Sequence, residues 1–155
     1  MKEQLHKAFS LLEIVIVVAI IVVVMAIAIP RMSRGGKGAS ESALTHDLLV
    51  LRNAIDHYAA EHGGAYPTTT DIAGQLTQYT DISGDPQAAK DITHMYGPYV
   101  RSIPPLPVGQ RKGNTGIAAS DGPGVGWIYD ETTGSIRANT LLGDKDASIH
   151  LYRDH

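Results

Sequence analysis

Seven histidines and sixteen acidic residues in a chain of 155 could in principle bind metal or move protons, so their spacing comes first. His57 and Glu61 stand four apart with His62 beside them, which would place the pair on one helix face. A zinc hydrolase of the helical type needs His-Glu-x-x-His, and that order is absent. His46, His94, His150 and His155 are scattered, and the group reads as a solvated polar face. Cysteine is absent, which excludes disulfides and thiolate metal sites. Gly35-Gly36-Lys37-Gly38 lacks the Gly-Lys-Ser/Thr order of a phosphate loop. Asp121-Gly122-Pro123-Gly124-Val125-Gly126 contains Gly-x-Gly, but no helical pattern follows, so no dinucleotide site is expected. No Ser-His-Asp grouping has supporting context. The chain reads as a non-enzyme.

One acid is out of place. Residues 14–29 are sixteen apolar residues without interruption, and Glu13 stands at their start. Residues 9–29 as a helix would measure about 31 Å, the hydrocarbon thickness of a bilayer. In lipid every backbone group must bond internally, which favours helix even for a Val/Ile-rich run. A carboxylate at the bilayer centre costs roughly 2.5–3.5 kcal/mol, so Glu13 calls for a partner. Three readings follow. The segment is a secretory signal peptide, with Ala26-Ile27-Ala28 as an A-x-A cleavage site. Alternatively it is a plain transmembrane anchor. In the third reading Glu13 awaits a positive charge supplied by another chain. Lys2, His6 and Lys7 precede the run and Arg31, Arg34 and Lys37 follow it, so charge bias does not fix an orientation.

Lys7-Ala8-Phe9-Ser10-Leu11-Leu12-Glu13, followed by the apolar run, resembles the prepilin cleavage and methylation motif of type IV pilins and type II secretion pseudopilins. The resemblance implies a cut by prepilin peptidase between Ala8 and Phe9 and methylation of the new amino group. It also implies an assembly role for Glu13, four positions beyond Phe9. The family usually has Gly before the cut, and Ala8 departs from that pattern. Cleavage would leave a cationic amine on Phe9, which could meet Glu13 of an adjacent subunit in a filament. Pairing makes a buried charge far less costly and so favours one axial register. Pro30 falls where the family commonly bends its helix. Gly35, Gly36 and Gly38 follow closely, and this stretch reads either as a flexible linker or as a helix that bends on packing. Some secretion pseudopilins hold calcium in carboxyl-terminal loops. Asp121, Asp130, Asp144 and Asp146 lie in such loops here, but a calcium site is left without assigned ligands.

The elements follow from periodicity. Leu44, Leu48, Leu51, Ile55 and Tyr58 recur at steps of 4, 3, 4 and 3, which predicts an amphipathic helix over 40–62. Gly63-Gly64 and then Pro67 stop it. Ala65-Tyr66-Pro67-Thr68 again resembles pseudopilins. Short helices are expected over 71–79 and 87–93. Gly126-Trp127-Ile128-Tyr129-Asp130 and Ser135-Ile136-Arg137-Ala138-Asn139 read as a hairpin, with turn residues between them. Alternation puts Ile128 opposite Trp127 and Tyr129, and Trp127 reads as core. Residues 147–153 are either a last strand or a trailing tail.

The expected fold is α+β: a long amino-terminal helix, its first half transmembrane, packed by its second half on a small antiparallel β-sheet, the pilin fold. The expected divisions are a leader over 1–8, a transmembrane and assembly helix over 9–29, a Pro/Gly stretch over 30–39 and a periplasmic globular domain over 40–155. The expected function is a structural subunit of a type II secretion pseudopilus, with no cofactor. Its implied partners are copies of itself, prepilin peptidase, the inner-membrane machinery and membrane lipid. Net charge of −3 and a pI near 6.1 exclude a basic nucleic-acid-binding face. The expected place is the bacterial inner membrane, single-pass, leader inside. A type IV pilus pilin for adhesion, motility or DNA uptake remains the alternative. An exported or singly anchored binding protein or enzyme is the alternative of another class. Amino-terminal sequencing separates these: methylated Phe9 marks a filament subunit, Ile29 a signal peptide, Met1 a plain anchor.

Overall fold

A computed structural model describes residues 10–141 and residue 144, with the side chains of α1 described outside 26–37. Ala8, Phe9, Asp146, His150, His155 and the 147–153 tail lie outside the described residues. The chain divides into two compact units, Met1–Lys37 and Gly38–His155. Helix α1 spans Leu11–Glu61 and runs through Pro30, Gly35, Gly36 and Gly38.

In the second unit the stripe read from the sequence forms the centre of the core. Leu44, Leu48, Leu51, Ile55 and Tyr58 are all buried, and Ala54 lies between them on the same face. A 3.6-residue repeat aligns these positions, and each fully buried Leu or Ile contributes roughly 1.5–3 kcal/mol. They pack with Leu76, Leu106, Trp127, Tyr129 and Ile136 in one cluster. The helix stops where Gly63 and Gly64 adopt φ of 66° and 90°. The Gly64 amide donates to the Ala59 carbonyl at 2.7 Å, the closing bond of a Schellman turn.

The expected short helix over 71–79 is present as α2, Ile72–Thr77. The one expected over 87–93 is not. Strand β1 (Tyr79–Thr80) pairs antiparallel with β2 (Pro86–Gln87), and irregular backbone follows. The Asp91 carboxylate takes the amides of Thr93 and His94 at 2.8 and 2.7 Å. Those side-chain bonds satisfy the backbone locally and compete with a helix.

The hairpin is present as β4 (Val125–Asp130) and β5 (Ser135–Ala138), with Asp130 opposite Ser135. Gly134 takes φ of 69° in its turn, and an added Cβ there would lie 2.4 Å from the Tyr66 ring. The expected all-antiparallel sheet needs correction. Strand β3 (Gly116–Ala118) runs parallel to β4, so the three-stranded sheet is mixed, in the order β3-β4-β5. Only residues 119–124 connect β3 to β4, far fewer than the dozen or so a usual parallel crossover takes. Gly124, at φ of 76°, helps turn this connection.

The transmembrane first half also needs correction. Among the described residues no helix is long and apolar enough to cross a membrane. The single-pass inner-membrane placement that rested on a membrane-spanning helix falls with it.

Candidate functional site

The first described turns of α1 are apolar on every side. Leu11 is 83% exposed, Leu12 66%, Ile20 58% and Val24 57%. A helix that is apolar all round has no solvent face, so its stable state is one in which other apolar surface covers it. Ile16, Ala19, Ile20, Val23 and Val24 line a shallow groove of about 320 Å³. Ala19 makes the dip, because it is the short side chain among four branched ones. Such a groove between i±3 and i±4 rows is the shape that accepts a ridge from another helix. Glu13 lies in the first turn of α1 and is exposed. Ser10 precedes it by three, the Ser-x-x-Glu spacing of a capping box, and the Ser10 carbonyl accepts the Ile14 amide at 3.2 Å. An acid there gains about 0.3–1 kcal/mol from the helix dipole. Glu13 therefore stands where an acid suits the start of a helix. The cleavage residues Ala8 and Phe9 lie outside the described residues.

Among the described residues the carboxyl-terminal acids Asp121, Asp130 and Asp144 bond to separate donors. Asp121 Oδ2 accepts from Arg111 Nη2 at 2.7 Å, and its Oδ1 accepts from Asn139 Nδ2 at 2.8 Å. Asp130 accepts the Thr132 amide at 2.9 Å and the Thr133 hydroxyl at 3.0 Å. Asp144 accepts the Leu141 amide at 3.1 Å. Among the described residues no group of three His, Cys, Asp or Glu could hold a metal ion. Calcium needs six to eight oxygens, and the described acids do not gather such a set.

The histidines correct the reading of a solvated face in one place. His57 and Glu61 are exposed, but His62 is 8% exposed. Its ring stacks on Tyr58 with centroids 3.9 Å apart. Nδ1 lies 2.8 Å from the Tyr58 carbonyl and Nε2 2.9 Å from the Asp81 carbonyl. His62 joins α1 to the loop after β1. The signal was present in the sequence, because His62 continues the Leu44 stripe by one further step of four.

On the sheet face away from the core, Ile128 lies at the floor of a cleft of about 440 Å³ that Thr69, Glu131 and Arg137 also line. Glu131 accepts the Thr69 amide at 2.8 Å and the Thr69 hydroxyl at 2.9 Å, tying the hairpin turn to the segment after Pro67. Those bonds hold the Glu131 carboxyl below its usual range. Asp121 is likewise lowered, first by Asn139 and then by Arg111. Groups lowered on folding stabilise the protein above their unfolded values and lose that contribution as pH falls through the folded ones. Thermal melting should therefore be flat at neutral pH and fall progressively below about pH 4. Glu131→Gln should flatten the acid limb, and an unchanged limb would show that this carboxylate does not contribute.

The 25% identity to the type II secretion system core protein G of Aeromonas hydrophila spans 109 residues, 70% of this chain and 72% of that one. Similarity to the core protein G of Klebsiella pneumoniae is 29% over 106 residues, 68% of this chain and 71% of that one. That of Klebsiella michiganensis is 29% identical over 112 residues, covering 70% and 72%. No family model matches the chain, and no solved structure matches it at a significant level. The chain is a distant homologue of the type II secretion system core protein G sequences, and that homology supports a non-enzymatic assignment.

Proposed function

We propose that the chain is a structural subunit of a type II secretion pseudopilus. It is cut by prepilin peptidase between Ala8 and Phe9 and polymerises through residues 11–25 of α1. The observation that carries this reading is the exposed surface of that segment, apolar but for Glu13, with its groove at Ala19. Distant homology to core protein G supports it. Copies of the same helix offer apolar surface of matching shape, and burial of such surface is worth roughly 25 cal/mol per Å².

In the filament the new amine of Phe9 pairs with Glu13 of a neighbouring subunit. The pair sets the axial step, because a shifted register leaves a buried carboxylate without its cation. Glu13→Ala is expected to abolish filaments, scored by electron microscopy and by sedimentation of sheared filaments. Glu13→Gln separates the two roles of the side chain, since Gln still suits a capping box but carries no charge. Filament loss in both variants supports the pair. Wild-type filament yield from Glu13→Gln would remove it and leave only helix capping.

A further inference from the structure

The region around β3–β5 has a topological weakness and a device that offsets it. The connection of residues 119–124 folds back within six residues to lay β4 parallel to β3. Among the described residues no helix forms part of that connection, and side-chain bonds tie it from the side. Three segments distant in sequence meet there. Arg111 comes from the turn in which the Gly113 amide donates to the Leu106 carbonyl at 2.8 Å. Asp121 comes from the short connection itself. Asn139 follows β5 and is 4% exposed.

The bonds form a closed web. Asp121 takes Arg111 on one oxygen and Asn139 on the other, at 2.7 and 2.8 Å. The Asn139 side-chain amide also donates to the Val125 carbonyl at 2.8 Å, and its backbone amide donates to the Gly126 carbonyl at 2.9 Å. One residue therefore holds both the connection and the start of β4. Gly126 cannot be enlarged there, since an added Cβ would lie 2.2 Å from the Asn114 carbonyl oxygen.

Some secretion pseudopilins hold calcium in such loops, for which the sequence assigned no ligands here, and this web is built against it. Asp121 has both oxygens committed to donors. The atoms facing it are N–H groups, which repel a cation. Arg111 Nε is buried without a hydrogen-bond partner, so it adds another donor and no ligand. We propose that the Arg111 guanidinium is the built-in cation of these loops, and that the β3–β5 region folds without a divalent ion. Charge-assisted bonds of this kind are shorter and stronger than neutral ones, and the flat fork suits a carboxylate in a way a lysine ammonium does not.

The test uses the full chain and thermal melting in millimolar CaCl₂ against EGTA. The two wild-type midpoints should agree within about 1 °C, because a ligand stabilises only the state it binds. Arg111→Gln should lower the midpoint by roughly 3–6 °C in both buffers, a partly exposed pair giving less than a buried one. Asp121→Asn should do the same. The double variant should lose no more than the larger single loss, because both act through one contact. A midpoint about 3 °C or more higher in calcium than in EGTA would overturn the proposal. So would Arg111→Gln melting with wild type, or two single losses that simply add.

Discussion

Trp127→Ala should lower the folding free energy of the 38–155 unit by about 3–5 kcal/mol, the usual loss for an aromatic removed from a closed core. Trp127 is fully buried at the centre of β4, against the stripe of α1. Its indole N–H donates to the Pro104 carbonyl at 2.8 Å, so truncation also leaves a half-buried carbonyl without its donor. The surrounding positions cannot collapse into the space. Gly126 is held against Asn114, and Tyr129 is fixed by its own bond to the Pro67 carbonyl at 2.9 Å. A domain of this size holds about 5–15 kcal/mol in total, so the variant should be close to its unfolding threshold at room temperature. Urea titration followed by far-ultraviolet circular dichroism measures it. Trp127→Phe should recover most of the loss and leave the bond to Pro104 as the remainder. A loss below about 1 kcal/mol for Trp127→Ala would mean that the indole is not the keystone described.

Ala19→Leu should cut filament assembly about tenfold or more while leaving the 38–155 unit as stable as before. The groove at Ala19 is the dip into which a neighbouring helix would seat. Overfilling a packed contact costs about 1–3 kcal/mol, and 1.4 kcal/mol is a factor of ten in association. Every subunit in a filament would carry the same defect. Leu49→Ala is the matched control: Leu49 is also an exposed apolar residue on α1, at 56%, but lies outside the 11–25 segment. Critical concentration, read from the unsedimented fraction, should rise for Ala19→Leu and not for Leu49→Ala. Equal critical concentrations for Ala19→Leu and wild type would place the helix contacts elsewhere.

Local signals in the sequence were reliable where one helix turn or one hairpin decides the outcome. The stripe from Leu44 to Tyr58 marks the buried face because a single period of 3.6 aligns it. Gly63-Gly64 marks the stop because left-handed φ is cheap only there. The hairpin of β4 and β5 follows from alternation and from a turn containing Gly134. The helix expected over 87–93 failed at Asp91, whose carboxylate caps the nearby amides and wins over weak helical propensity. The parallel pairing of β3 carried no local mark, since Gly116-Ile117-Ala118 is too short for a pattern. The web of Arg111, Asp121 and Asn139 was invisible for a different reason: its members are 10 and 18 residues apart in the chain and meet only through the fold. Glu13 was read from its motif alone, and Ala8 and Phe9 of that motif lie outside the described residues. The membrane span expected around Glu13 was not sustained: among the described residues no helix is long and apolar enough to cross a membrane.

The borders of the three-stranded sheet are only three and four residues long. Along one border the Arg52 guanidinium donates to the Ile136 carbonyl at 3.4 Å. So brief a template gives an arriving strand little ladder to copy, and amyloid-like growth from the sheet is disfavoured. On the proposed function, ordered polymers would therefore grow by helix stacking rather than by strand addition, and could be undone without unfolding any monomer.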